Sequence, residues 1–377
     1  MIDVAVVGGG PVGLLMAILL RLQGREVVVL ERRTSRTAHS RAIGIHPPAL
    51  RVLESAGVAP RLIDAGVRIT HGTALSRGKY VAGLDFTGTS PTHPFILSVP
   101  QSRTETLLEA RLQELAGDVL RRGVEVDGLL DDGGTPRVSA RSGGAAVEFH
   151  SRLVVAADGP HSAIRQKIAP ARRIRRYPDF YVMGDFRDDT SFGSEAILFL
   201  EPDGIVESFP LPEGIRRWVV WQRRPSPQPE PRQLSERIWA RTGISVDATT
   251  NSMVSGFGVS SCLASQMICG SVFLVGDAAH EISPIGGQGM NLGWLDVAEL
   301  APLISNVLEG RPTATALTRY QAERRRAAKR AQWQAGLNMA LGRPLPPSIL
   351  ALRNSLFSRA IAVPAIADVV AKRFTMN

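Results

Sequence analysis

Apolar positions along this chain come mainly as short unbroken runs closed by glycine, the pattern of strands covered on both faces. Ile2 to Val7 is the first, leading into Gly8-Gly9-Gly10-Pro11-Val12-Gly13. A helix is predicted from there to about Gln23, with Gly24 ending it and Glu26 to Leu30 forming a second strand. Glu31 stands 18 residues beyond Gly13. Strand, GxGxxG turn (Gly8, Gly10, Gly13), helix, strand and acid make the dinucleotide-binding fingerprint. The glycines allow a tight turn, approach to a pyrophosphate and close helix–sheet packing, while Glu31 is placed for an adenosine ribose. The pattern leaves FAD and NAD(P) equally open.

A second run, Val272 to Val275, ends in Gly276-Asp277 and sets a carboxylate at the carboxyl end of a strand, where ligands of open α/β sheets sit. The loop behind it closes with Gly286-Gly287-Gln288-Gly289, and a helix opens near Gln288 with its positive end toward the same place. Between these anchors a helix is predicted from about Pro48 to Ala56. Residues 70 to 98 read as strands of an excursion into a second domain. A helix follows Val99-Pro100-Gln101, with Thr104 as its cap and Leu108, Leu112 and Leu115 on one face. Asp118 to Phe149 reads as a β-meander with a turn through Asp131 to Thr135, and Leu153 to Ala157 as a buried strand ending at Asp158.

Strands are expected at Phe180 to Phe186, Ala196 to Leu200, Ile205 to Phe209 and Trp218 to Gln222, then a helix over Leu234 to Trp239. Beyond Gly310 the chain is helical and basic. The tail from Pro347 to Phe374 reads as a helical pair covering a sheet, or as a peripheral membrane contact.

Composition is that of an ordinary globular protein of 377 residues with room for two domains, 44% apolar. The net charge of +9 rests on arginine, since only Lys79, Lys167, Lys329 and Lys372 are lysines. Arginine clusters occur at 172 to 176, at Arg216, Arg217, Arg223 and Arg224, and at 324 to 330, the first and last of them without interleaved aromatics. That disfavours nucleic acid and points to solvated faces or to help for an anionic ligand. Cys262 and Cys269 fit neither a redox pair nor a zinc site, and no metal is expected. The first strand begins at once and no apolar run reaches 18 residues, so neither signal peptide nor spanning helix is expected, and the location reads as cytoplasmic.

The stretch Gly276 to Leu300, above all GQGMNLGWLDVAELA, closely resembles the second FAD-binding signature of class A flavoprotein monooxygenases, the para-hydroxybenzoate hydroxylase superfamily, including its polyprenylphenol hydroxylase branch. The resemblance implies an α/β fold. It comprises a Rossmann-like FAD-binding domain (1–70, 98–165, 268–330), an antiparallel-sheet substrate domain (71–97, 166–267) and a C-terminal helical segment (331–377). It implies non-covalent FAD held by Gly8, Gly10, Pro11, Val12, Gly13, Glu31, Arg32, Arg41, Gln101, Leu120, Asp158, Asp277, Gly287, Gly289, Met290 and Asn291. Pro284 lies beside the flavin ring, and Leu317, Tyr320 and Arg324 match an element that packs back on the cofactor domain. Phe199, Phe209, Leu211, Trp218 and Trp221 are candidates for the substrate wall, with core packing as the competing role for each.

In this family NADPH or NADH binds transiently and reduces FAD. O₂ then adds at C4a, and the resulting hydroperoxide hydroxylates an aromatic, phenolic or polycyclic small molecule. No acid–base residue stands out, which suits chemistry carried by a flavin. The readings that compete are a flavin-dependent halogenase, although Trp218 and Trp221 are spaced WxxW and not WxW; a reductase on the same scaffold; and a flavoprotein that sequesters a natural product. Oligomeric state is not legible.

Overall fold

A computed structural model describes residues 2–36, 42–130, 135–170 and 172–377. Arg41 and most of the turn from Asp131 therefore lie outside the described residues. One sheet runs in the order Ile268–Cys269, Val272–Leu274, Ala145–Ala156, Ile2–Val7, Val27–Glu31, Leu120–Arg122. Its inner pairs are parallel: Ile2–Val7 lies between Val27–Glu31 and the second half of Ala145–Ala156. The first half of that long strand instead pairs antiparallel with Arg137–Ser142, which continues the meander to Val124–Leu130. Strand periodicity sends Val4, Val6 and Val29 toward Leu14 and Ile18 of the Pro11–Leu22 helix and Trp294 of the Gln288–Leu308 helix. Ala5, Val7, Val28 and Leu30 pack on the other face, under Val124, Leu129 and Val138. Burial on both faces is why these strands read as unbroken apolar runs.

The second sheet has eight strands in the order His280–Glu281, Met253–Ala264, Arg172–Arg187, Ile215–Gln222, Val206–Leu211, Ala196–Phe199, His71–Ser76, Lys79–Asp85. It is antiparallel but for one pair, Ala196–Phe199 beside His71–Ser76. Alternation again decides which residue faces where. Val182, Phe186, Ile197, Phe199, Val206, Trp218 and Val220 share the face covered by Leu234 and Ile238 of the Pro231–Thr242 helix. The opposite face looks toward the first sheet.

Two expectations change. Thr104 does not cap its helix, which starts at Gln101, and its fully buried hydroxyl turns back on the Pro100 carbonyl. Arg216 and Arg217 are not solvated: Arg216 Nε donates to Asp188 at 2.8 Å and Arg217 forms a two-pronged pair with Asp185 at 2.6 and 2.7 Å. The tail does form two helices, Pro347–Ile361 and Pro364–Phe374, and Phe357, Ile361, Ala367 and Val370 cover Val81 and Ala82 of the sheet edge. Among the described residues no single helix is long and apolar enough to cross a membrane, although this pair, bent by 100°, passes that test together.

A buried charged cluster ties the Ala314–Gly342 helix to the Gln288–Leu308 helix. Asp296, with no exposed surface, accepts from the Gly276 amide (3.0 Å) and from Arg324 Nε (2.8 Å) and lies 2.6 Å from His280 Nε2. Arg324 also reaches Glu299 at 2.9 Å. Burial opposes charge on Asp296, but His280 and Arg324 outweigh it and hold the carboxyl below its ordinary range. Burial likewise opposes charge on His280, and the Asp296 carboxylate overrides it, raising the imidazole.

Asp296→Ala would strand two buried cations, and a loss of about 3–5 kcal/mol in urea unfolding is expected, with an unchanged slope. The pair's stabilisation should fade on both sides of neutrality. It falls with acid as pH drops through the depressed Asp296 value, and with base as pH climbs through the raised His280 value. A wild-type minus Asp296→Ala stability difference that stays constant with pH would contradict this.

Candidate active site

Between the two sheets lies a cavity of about 1140 Å³. Its wall begins at the fingerprint turn with Gly8, Gly10, Pro11 and Val12, takes in Glu31, Arg32, Gln101 and Asp158, and passes Asp277, Pro284, Gly287, Gly289 and Met290. It ends on the second sheet at Phe209 and neighbouring positions. The structure therefore brings together segments that the sequence holds more than 250 positions apart (Gly8 to Asp277).

Each segment is shaped locally for its place. Gly8 has φ +106°, a conformation open to glycine, and an added Cβ would lie 2.4 Å from the Ala157 carbonyl oxygen. A Cβ on Gly13 would lie 2.0 Å from the Gly8 carbonyl oxygen, so Gly13 serves helix–strand contact from behind the cavity wall. A Cβ on Gly10, by contrast, would meet no protein atom within 4 Å. Gly10 faces open space. Glu31 accepts from the Gly9 amide at 2.7 Å and from Arg33, and although burial raises its carboxyl, these bonds leave it below the usual value.

Two helices start on the cavity without a side-chain cap: Pro11–Leu22 behind Gly10, and Gln288–Leu308 behind Gly287, which sits at φ +66°. Their first amides lack intrahelical acceptors and carry the positive end of the helix dipole. Asn291 lies behind this wall and acts as a strut: its side chain accepts from the His46 amide and donates to Gly44 and Gly287 carbonyls. Two carboxyl groups line the same cavity. Asp277 is pushed up to about 6 by burial, and Asp158 is raised by the same cause, its Oδ1 buried with no partner among the described residues.

Several expected residues stand elsewhere. Leu120 is half-buried on its edge strand and is not part of the wall. Phe199 has the parity of the helix-covered face and stacks on Trp218 at 5.9 Å. Trp221 is packed under Gly204 with its Nε1 donating to Asp179 at 2.9 Å. Core packing takes both aromatics, and of the five wall candidates Phe209 alone lines the cavity, while Leu211 and Trp218 do not. The wall also includes residues that no motif flagged: His46, Glu207, Arg217, Glu281 and Arg353. Burial pushes His46 down to about 4, which keeps it neutral.

The comparisons with known proteins agree with this geometry. Residues 1–335 match the FAD binding domain family. The chain belongs to the class A flavoprotein monooxygenase family. It is 31% identical over 345 residues to an anhydrotetracycline monooxygenase of Streptomyces rimosus, covering 86% of this chain and 66% of that one. It is 32% identical to a rifampicin monooxygenase of Streptomyces venezuelae, covering 86% and 68%. The p-nitrophenol 4-monooxygenase of Pseudomonas putida DLL-E4 shares the fold with a TM-score of 0.88 at 24% identity, over 99% of this chain and 97% of the other. The flavoprotein thus spans about two thirds of the length of the first curated relatives it matches.

The residues present fit FAD. Uncapped helix starts, the open space at Gly10 and the unpartnered Asp158 oxygen are what a pyrophosphate and a hydroxylated chain would engage.

The two fingerprint glycines should separate by variant. Gly10→Val is expected to fold with wild-type melting and lose the flavin absorbance. Gly13→Ala, forced against the Gly8 carbonyl, should lose 1–3 kcal/mol or more of stability, or fail to fold. Asp277→Ala should fold and retain little FAD. Full flavin retention in Gly10→Val and Asp277→Ala would contradict the assignment.

Proposed function

We propose that this flavoprotein is an NAD(P)H-consuming monooxygenase that hydroxylates an aromatic, phenolic or polycyclic small molecule with O₂. The observation that carries the reading is the continuity of the cavity, which runs from the dinucleotide fingerprint past Asp277 and Pro284 onto a largely apolar sheet face. Redox-cofactor end and organic-ligand end share one chamber. The relatives' names, for anhydrotetracycline and rifampicin, agree with a sizeable aromatic ligand.

In this reading Glu31 holds the adenosine ribose, Gly8, Gly10, Pro11 and Val12 meet the pyrophosphate, and Arg32, Gln101 and Asp158 flank it. Asp277 receives the ribityl hydroxyls. Gly287, Gly289 and Met290 present main-chain amides to the ring edge, where a helix start favours negative charge. FAD, when bound, supplies the redox chemistry. The chain's own work is to orient the ligand against Pro284 and to exclude water. The apolar wall of Ala74, Leu198, Met183 and Val219 does the second. NADPH or NADH serves as a transient reductant, since no second GxGxxG occurs.

Purified protein is expected to be yellow, and phenols or polycyclic phenols should stimulate its NAD(P)H oxidation severalfold, with an oxygenated product seen by mass spectrometry. Binding of such ligands without stimulation would favour sequestration instead. Stimulation that required an added flavin reductase would favour a two-component enzyme.

A further inference from the structure

Glu207 is an acid in an apolar row. The sheet register runs Ala82, Ala74, Leu198, Glu207, Val219, Met183 across five neighbouring strand pairings, and all six residues line the cavity. Five are aliphatic or thioether. The sixth is a carboxyl group 9% exposed that makes no side-chain hydrogen bond or ion pair with any described residue, burial being the one influence on its charge. A buried acid without a partner opposes folding, so its presence calls for a ligand that completes it. The other ionisable groups around the row are already engaged. Arg217 and Asp185 close on each other one register step away, and Asp179 is taken by Arg343 and Trp221. Glu281 accepts from Ser260 at 2.7 Å on the cofactor side of the cavity. Arg353, from the Pro347–Ile361 helix, donates to the neutral acceptors Leu341 carbonyl and Asn354 Oδ1. Tyr181, on the strand beside Val219, is raised by burial first and then by the Glu207 and Asp179 carboxylates, so it stays a neutral phenol.

We propose that Glu207 is the catalytic residue that receives the proton of a substrate hydroxyl. The inference rests on the aromatic monooxygenase reading above and names the side chain that reading lacked. In the step, the O–H bond of a phenol bound over the row breaks and its electron pair stays on oxygen. The proton goes to a Glu207 carboxylate oxygen, giving a phenolate and a neutral carboxyl group, so charge and atoms balance. The ring gains electron density where an electrophilic oxygen must be accepted, and the proton returns to oxygen before the product leaves. A carboxyl pushed by burial up to about 7 is suited to such an exchange near neutral pH.

The test uses FAD-loaded wild type and Glu207→Gln with phenols of graded acidity, ending with 4-nitrophenol. In wild type, kcat/KM for phenol-stimulated NAD(P)H oxidation should rise with pH through a break near neutrality that is the same for every weakly acidic phenol. Glu207→Gln should keep its FAD and its phenol-independent NAD(P)H oxidation, lose the break, and lose roughly 100-fold or more of kcat on weakly acidic phenols. The loss should shrink for 4-nitrophenol, which ionises without help. A variant that keeps the break, or that loses activity equally for all phenols, overturns the proposal. Should Glu207→Gln not fold, a wild-type break that moves with the acidity of the phenol overturns it equally. If wild type holds FAD but no phenol stimulates it, the substrate reading fails first and the role of Glu207 falls with it.

Discussion

Asp296 is the constraint on which the site depends. Its carboxylate has no exposed surface, yet it receives the Gly276 amide, His280 and Arg324 at once. Gly276 immediately precedes Asp277, and His280 pairs into the second sheet through Leu263. One carboxylate therefore fixes the end of a parallel strand, the edge of the other sheet and the packing of the Ala314–Gly342 helix. Together with Arg165, which donates to the Asp277 and Ala278 carbonyls at 3.1 Å, that tie holds the loop carrying Asp277 between the two sheets. Removing one member of such a cluster costs far more than the cluster contributes net, because the charges left behind cannot reach water.

The two ends of the cavity use different materials. At the fingerprint end the groups exposed to the cavity are main-chain amides at helix starts, reached only where side chains are missing, so the sequence must carry glycines at fixed intervals. That requirement is local, and it made Gly8, Gly10, Glu31 and the Gly286 to Gly289 loop legible before any coordinates. The opposite end is a sheet face. There a residue's role is set by strand parity and by which strand lies next to it, neither of which leaves a motif.

Parity explains the particular misreadings. Phe199 and Phe209 look equivalent as aromatics in strand-like runs, but one shares a face with Trp218 under the Pro231–Thr242 helix and the other faces the cavity. Trp221 has the cavity's parity and still fails to reach it, because Asp179 and Gly204 hold it at the strand's end. For Arg216 and Arg217 the sequence leaves open a solvated face or help for an anionic ligand, and burial rules out the first. Their partners, Asp188 and Asp185, sit 28 and 32 positions away on a neighbouring segment, beyond anything periodicity can register.

The same contrast bears on where new chemistry can hide in a flavoprotein of this kind. The fingerprint end tolerates little change where its glycines are bounded by backbone, as at Gly8 and Gly13. The sheet row is bounded by side chains, and exchanging one aliphatic residue for another there alters shape without touching the fold's supports. An acid in that row is a different matter. It disfavours folding where it has no partner, and Glu207 stands in such a position between Leu198 and Val219, its carboxyl raised by burial. Electrostatics sharpen the point, for the uncapped helix starts that favour negative charge lie at the opposite wall, behind Gly10 and Gly287. Among the described residues no helix start at the sheet end offsets the Glu207 charge, which is why a proton drawn from the ligand would stabilise the group there.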